Sequence, residues 1–171
     1  DKWDGQRFID AMGLSYDKDV LEIGVGTGRL AIQVVPFCSH FTGIDISPKT
    51  ANKAKSNLSQ FQNVTILCDD FLKVDFEDKQ FDVIYSSLTF MHISDKLSAI
   101  KKASKHLKTD GVFVLSIDKN QNEAIDYGTR TITVYPDTPE NIQMYAEAIG
   151  LIVENIFETE LANVLVIKNK V

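Results

Sequence analysis

The sequence is poor in cysteine. Its 171 residues include two, Cys38 and Cys68. They have neither metal-ligand spacing nor the pattern of a disulfide framework, so free thiols packed in the core and a reducing compartment are expected, and no metal site. No apolar run reaches membrane-spanning length and no signal peptide is visible, which points to a cytoplasmic protein with no membrane partner. A long basic run is also missing, and the formal net charge is −6. Binding to a nucleic-acid backbone needs a Lys/Arg surface, so such a partner is disfavoured. There is no internal repeat, low-complexity tract or interdomain linker, and the length suits one domain over residues 1–171. Residues 1–18 read as an N-terminal helical segment, and the abrupt start at Asp1 leaves room for further residues upstream.

Glycine is scarce, with nine in the chain, yet three of them alternate in one stretch, Val20-Leu21-Glu22-Ile23-Gly24-Val25-Gly26-Thr27-Gly28-Arg29-Leu30-Ala31. An apolar run enters the glycines and an apolar set at helical spacing follows, which predicts strand, tight turn, helix. Bare glycines let a ligand approach the backbone, and the next helix points its first amides at the same spot.

Around this stretch the chain alternates. Phe8, Ile9 and Met12 share one face of a short helix ending near Gly13. Val20–Ile23 is the first strand, apolar enough to be buried on both faces. A helix over Arg29–Phe37 stops at Pro36. Phe41–Ile46 is the second strand; Ser47-Pro48 then caps and opens a helix that buries Ala51, Ala54, Leu58 and Phe61. Val64–Cys68 and Phe81–Ser86 are the third and fourth strands. A helix from about Ser94 to Leu107 buries Leu97, Ile100, Ala103 and Leu107. Asp110-Gly111 turns into the fifth strand, Val112–Ile117. Thr131–Tyr135 reads as a short strand. A helix over Pro139–Ala148 leads to two strands, Leu151–Phe157 and Ala162–Ile167, whose short connection requires antiparallel pairing. The fold class is therefore α/β: a doubly wound, mostly parallel seven-stranded sheet with an antiparallel C-terminal strand.

In such a sheet ligands bind at the carboxyl ends of the strands. Glu22, Asp45, Asp70 and Ser86 fall there. Each of the three acids alone reads as a loop carboxylate or a cap, as Asp69 does; together, beside a bare glycine loop, they read as a site. A dinucleotide is disfavoured. Arg29 stands where a third fingerprint glycine belongs, and a bulky side chain there would intrude between helix and strand. Glu22 would also repel a pyrophosphate. Three acids favour a ligand rich in hydroxyl and amino donors, because a carboxylate only accepts.

These motifs resemble those of the class I, Rossmann-like S-adenosylmethionine-dependent methyltransferases. The similarity runs from about Val20 to Val171. It is carried by Val20–Gly28, by Gly43-Ile44-Asp45-Ile46-Ser47-Pro48, by Cys68-Asp69-Asp70-Phe71, and by Phe81-Asp82-Val83-Ile84-Tyr85-Ser86-Ser87, with the antiparallel last strand as a further mark. The resemblance implies S-adenosylmethionine as cofactor. It implies that Gly24, Gly26 and Gly28 shape the loop under the methionyl and ribose parts, and that Glu22 orients the loop and the methionyl amine. Asp45 would hold the ribose hydroxyls with Ile46 on adenine. Asp70 would take the adenine amine with Phe71 beside the ring, and Ser86 and Ser87 would line the pocket. The family's usual glycine before the third acid is Asp69 here, which leaves Asp69 as the alternative to Asp70.

Methyl transfer from a sulfonium is driven largely by proximity and alignment, and a base is needed only for a protonated acceptor. His92 is the candidate base; it also reads as a surface or helix-start histidine. Trp3, His92 and Tyr127 are candidates for the substrate pocket. The fourth strand leads into Ser86-Ser87-Leu88-Thr89, not an Asn/Asp-Pro-Pro-aromatic stretch, and no Pro-Cys nucleophile is present. With the acidic balance, a small-molecule acceptor is expected. Two other functions compete: a non-catalytic S-adenosylmethionine-binding module, and an NAD-dependent oxidoreductase.

Overall fold

A computed structural model describes residues 2–170; Asp1 and Val171, the ends of the expected domain span, lie outside the described residues. The chain runs α1 (Gly5–Ala11), β1 (Asp19–Ile23), α2 (Ala31–Val34), β2 (His40–Asp45), α3 (Pro48–Asn57), β3 (Val64–Cys68), β4 (Phe81–Ser87), α4 (Lys96–Lys105), β5 (Leu107–Asp118), β6 (Ala124–Asp126), β7 (Thr131–Thr133), α5 (Pro139–Ala148), β8 (Ile152–Glu158) and β9 (Ala162–Lys168). Seven strands form one sheet in the order β3-β2-β1-β4-β5-β9-β8. The first five are parallel, and β9 lies antiparallel to both β5 and β8. This is the expected sheet, with strand order reversing beside β1.

Burial follows the pleat. On one face Phe8, Met12, Val34, Ala54 and Tyr85 pack together, so α1, α2 and α3 cover that side. On the other, Phe81, Ile100, Ala103, Phe113 and Ile142 pack under α4 and α5. Caps start the helices as their residues dictate. Ser47 accepts from Thr50 N at 3.3 Å ahead of Pro48, and Thr138 accepts from Asn141 N at 3.2 Å ahead of Pro139. A proline at the first helical position loses no intrahelical bond.

Several expected elements differ. The helix expected over Arg29–Phe37 is α-helical only over Ala31–Val34 and tightens to a 3-10 turn at Val35–Phe37. The glycine turn consumes its first residues, and Pro36 supplies no N–H to continue it. Leu97, expected in the core, is 42% exposed, while its neighbour Lys96 is buried. Asp95 is the N-cap, and its carboxylate accepts from Ser98 N at 3.1 Å; the buried stripe then runs through Lys96, Ala99, Ile100 and Ala103. Phe61 is half-buried against the core rather than within it. Of the two cysteines, Cys38 is buried but Cys68 is exposed at the end of β3, near the rim of the sheet. The fifth strand starts at Leu107, with Asp110 at φ 64° bulging out where a turn was expected. Thr131–Tyr135 forms strand only to Thr133, in a separate two-stranded ribbon with β6, because Tyr135 N instead donates to Met91 O at 2.6 Å.

Candidate active site

A cavity of about 740 Å³ opens at the carboxyl ends of β1, β2 and β4. That size is usual for a small-molecule site. Its floor is the glycine turn. Gly24, Gly26 and Gly28 all take positive φ. A Cβ on Gly24 would fall 2.1 Å from Thr89 Oγ1, whereas a Cβ on Gly26 would meet nothing within 4 Å. Gly24 thus lets the β4 loop close over the turn, and Gly26 leaves its backbone bare toward the cavity. Gly28 does not line the cavity; it packs under Leu58.

Asp45, at the end of β2, holds both flanks of this floor. One carboxylate oxygen accepts from Gly26 N at 2.9 Å and the other from Ser47 N at 3.0 Å. Next to it Ile46 is 69% exposed, a large apolar side chain turned to the cavity rim. After β3, Asp69 and Asp70 both line the opening. Asp69 is exposed and accepts from Asp70 N at 2.7 Å; Asp70 is half-buried and accepts from Leu72 N at 2.9 Å. Phe71 is buried beside them, its ring 6.1 Å from that of Phe76.

Glu22 sits at the far end, 2% exposed, and accepts a hydrogen bond from the Tyr85 hydroxyl at 2.9 Å. The two residues lie opposite each other on paired strands. Burial drives the Glu22 carboxyl well above the ordinary carboxylate range, against the lowering influence of Tyr85 and Arg29; burial and then the charge of Glu22 drive the Tyr85 phenol up as well. An acid with a raised folded pKa costs stability as pH climbs above its unfolded value, since the unfolded chain then ionises first. Glu22→Gln is therefore expected to raise the melting temperature at pH 7. That gain should shrink as pH falls and vanish near the unfolded carboxyl pKa of about 4.3. Melting curves across that range check it; a gain that grows toward acid would contradict the raised pKa.

Ser86 and Ser87 part company. Successive strand residues face opposite ways. The Ser86 hydroxyl is fully buried and donates to Ile23 O at 2.9 Å, so Ser86 does not reach the cavity as expected. Ser87 lines it, and its hydroxyl donates to Asp4 Oδ1 at 2.6 Å. His92 also lines it, in a 3-10 turn after β4. Burial, and then the Lys96 charge, lower its pKa and favour the neutral imidazole. Trp3 and Tyr127 do not line the cavity. Trp3 O accepts from Thr159 Oγ1 at 2.7 Å, and Tyr127 stands 55% exposed on the ribbon with the Arg130 guanidinium 5.7 Å from its ring centre.

Two residues that were not expected at the site, Arg29 and Asp4, belong here. Arg29 does not wedge between helix and strand. It lines the cavity, and its guanidinium donates to the buried Asp4 carboxylate at 2.6 Å. Arg29 carried a signal, as a cation fixed beside the glycine turn. Asp4 carried none, because a carboxylate on a short N-terminal helix reads as a cap.

Together these features describe a doubly wound domain with a nucleoside-sized cavity, rich in acceptors and floored by bare backbone. Comparisons with known proteins agree. A family described as "Methyltransferase domain" matches residues 21–115. Sterol 4-C-methyltransferase strm-1 of Caenorhabditis elegans is 27% identical over 67% of this chain and 38% of its own length. The demethylmenaquinone methyltransferase of Tropheryma whipplei is 31% identical over 61% of this chain and 43% of its own. The crystal structure of an S-adenosylmethionine-dependent methyltransferase from Clostridium acetobutylicum superposes with a TM-score of 0.79 at 17% identity, covering 98% of this chain and 91% of that one. The chain belongs to the class I S-adenosylmethionine-dependent methyltransferase family, and S-adenosylmethionine is the methyl donor of that family. It spans about two fifths of the length of the two curated relatives. Among the described residues no helix is long and apolar enough to cross a membrane.

Proposed function

We propose that this domain transfers a methyl group from S-adenosylmethionine to a small-molecule acceptor. The carrying observation is the cavity at the strand ends, where Gly26 is bare and Glu22, Asp45 and Asp70 offer carboxylates to a ligand rich in donors. The residues fit the cofactor. Asp45 accepts from the ribose hydroxyls while keeping Gly26 and Ser47 in place. Ile46 and Phe71 supply apolar surface for adenine, and Asp70, more buried than Asp69, takes its amine. Glu22, held by Tyr85, faces the methionyl amine. Bound there, S-adenosylmethionine supplies a methyl group on a sulfonium, which an aligned nucleophile takes by in-line displacement.

The protein's work is binding and alignment. His92, neutral at the cavity wall, accepts a proton from an acceptor that arrives protonated. A small acceptor is supported by relatives whose names specify a sterol and demethylmenaquinone as substrates, and by the acidic balance of the chain. Calorimetric titration with S-adenosylmethionine, S-adenosylhomocysteine and NAD tests the donor; micromolar binding of the first two and none of NAD is expected. Release of S-adenosylhomocysteine in the presence of small amines, phenols and thiols then tests catalysis. Binding without release from any acceptor would reduce the domain to a cofactor-binding module, and binding of NAD alone would overturn the proposal. Glu22→Gln is expected to weaken donor binding while stabilising the fold, because an amide, unlike the buried carboxyl, cannot give up a proton to meet the arriving ammonium.

A further inference from the structure

The donor is a zwitterion at its methionyl end, with a carboxylate as well as an amine. Resting on the proposed donor site, we infer that Arg29 receives that carboxylate and that Asp4 is the positioning residue that aims it. Arg29 is the one lysine or arginine lining the cavity among the described residues; the acidic side chains there are Glu22, Asp45, Asp69 and Asp70. A donor carboxylate placed anywhere else in the cavity would meet only like charge or neutral groups.

Asp4 explains how Arg29 stays there. It stands at the N-cap of α1, where an aspartate ordinarily turns back to the first helical amides. Here it makes no such bond. Its carboxylate, 1% exposed, instead reaches to the strand ends, taking Arg29 through one oxygen and Ser87 through the other, each at 2.6 Å. One carboxylate thus joins the glycine-turn wall of the cavity to its β4 wall. The backbone that carries it is fastened as well. Leu161 N donates to Lys2 O at 3.0 Å and Thr159 Oγ1 to Trp3 O at 2.7 Å, so residues 2–4 are strapped to the β8–β9 turn.

A guanidinium is planar, with five N–H donors spread over separate edges, so one carboxylate can orient it while another is recognised. Fixing the side chain beforehand removes ordering cost when the ligand binds. Asp4 therefore assists, rather than competes with, the donor's carboxylate.

The test compares two ligands by calorimetry, S-adenosylhomocysteine and its decarboxylated analogue, which keeps the amine. The wild-type protein should prefer S-adenosylhomocysteine. Arg29→Met should lower its affinity about thirtyfold, as expected for a hydrogen-bonded charge, and leave the analogue within about twofold. Asp4→Asn keeps the shape of the side chain but not its charge; it should lower S-adenosylhomocysteine binding about tenfold and again spare the analogue. A purely structural role would weaken both ligands alike, so equal losses overturn the inference. Tighter S-adenosylhomocysteine binding in Asp4→Asn would make Asp4 a competitor and also overturn it. Equal wild-type affinity for the two ligands defeats the carboxylate assignment alone, whereas failure to bind either defeats the donor site itself.

Discussion

Asp45→Ala should lower the affinity for S-adenosylmethionine and S-adenosylhomocysteine about 100-fold while the domain stays folded. Two losses combine. The ribose hydroxyls lose a charged acceptor, and the cavity floor loses the clamp between Gly26 N and Ser47 N. Hydrogen bonds to charged groups are worth about 1.5–3 kcal/mol each, and about 1.4 kcal/mol is a factor of ten in binding. Even two at the low end give the predicted loss. Asp45→Asn separates the parts. Its amide oxygen still accepts from one backbone N–H, so affinity should fall by less than in Asp45→Ala. Calorimetry reads both variants, and a melting curve shows that the fold survives. An unchanged affinity in Asp45→Ala would remove the ribose from this end of the cavity and with it the placement of adenine near Ile46 and Asp70.

Lys96→Met should destabilise the protein by about 3 kcal/mol, the low end for breaking a buried ion pair. Lys96 and Asp137 meet at 3.1 Å, with side chains only 7% and 4% exposed. Burial lowers the lysine pKa and raises that of the aspartate, while each partner's charge opposes the change. Lys96 Nζ also donates to Phe90 O and to Tyr135 O, so the ammonium is met by a carboxylate and two carbonyls. Removing it leaves the Asp137 carboxyl buried without its cation, so folding must either bury an unpaired charge or protonate it, and both cost stability. Lys96→Met combined with Asp137→Leu should recover to within about 1 kcal/mol of the wild type, because apolar replacement of a whole buried pair is often neutral. Urea unfolding of the two single variants and the double variant checks this. A double variant as unstable as the singles would show that the carbonyl contacts, not the charge pair, carry the energy. The pair fastens the segment bearing His92 to the chain entering α5, so the double variant should also loosen the wall of the cavity. A wider range of ligands accepted at that wall would report it.

The parallel strands and the position of the cavity at their ends were legible because one kind of signal wrote both. Val20–Ile23 is too apolar for a half-exposed strand, and the residues that interrupt such runs, Gly24, Asp45 and Asp70, stand where the sheet ends. The buried charges were not legible. Periodicity assigns Leu97 to the core and Lys96 to water; the fold reverses them, because the carbonyls of Phe90 and Tyr135 and the carboxylate of Asp137 come together only after distant segments meet. Asp4 was hidden for the same reason. Its partners Arg29 and Ser87 lie 25 and 83 residues away. Ser86 and Ser87 differ only in strand phase, which an adjacent pair of identical residues cannot reveal until the strand is placed. The brevity of α2 is a case of competition: the glycine turn and Pro36 take both ends of a helix that apolar spacing alone would extend.

The position of β9 sets an order of events on the ribosome. The β5 run Val-Phe-Val-Leu-Ser-Ile, residues 112–117, is buried and holds neither charge nor proline. One edge pairs with β4, which is already made; the other waits for β9, since Asp118 pairs with Ala162 and Val112 with Lys168. The ribbon, α5 and β8 are all synthesised in between. For that interval the nascent chain carries an apolar, uncapped strand edge, the kind of template on which chains pair with each other. The last hairpin is thus a seal as well as a strand, and a chain halted before it is the species most in need of a chaperone.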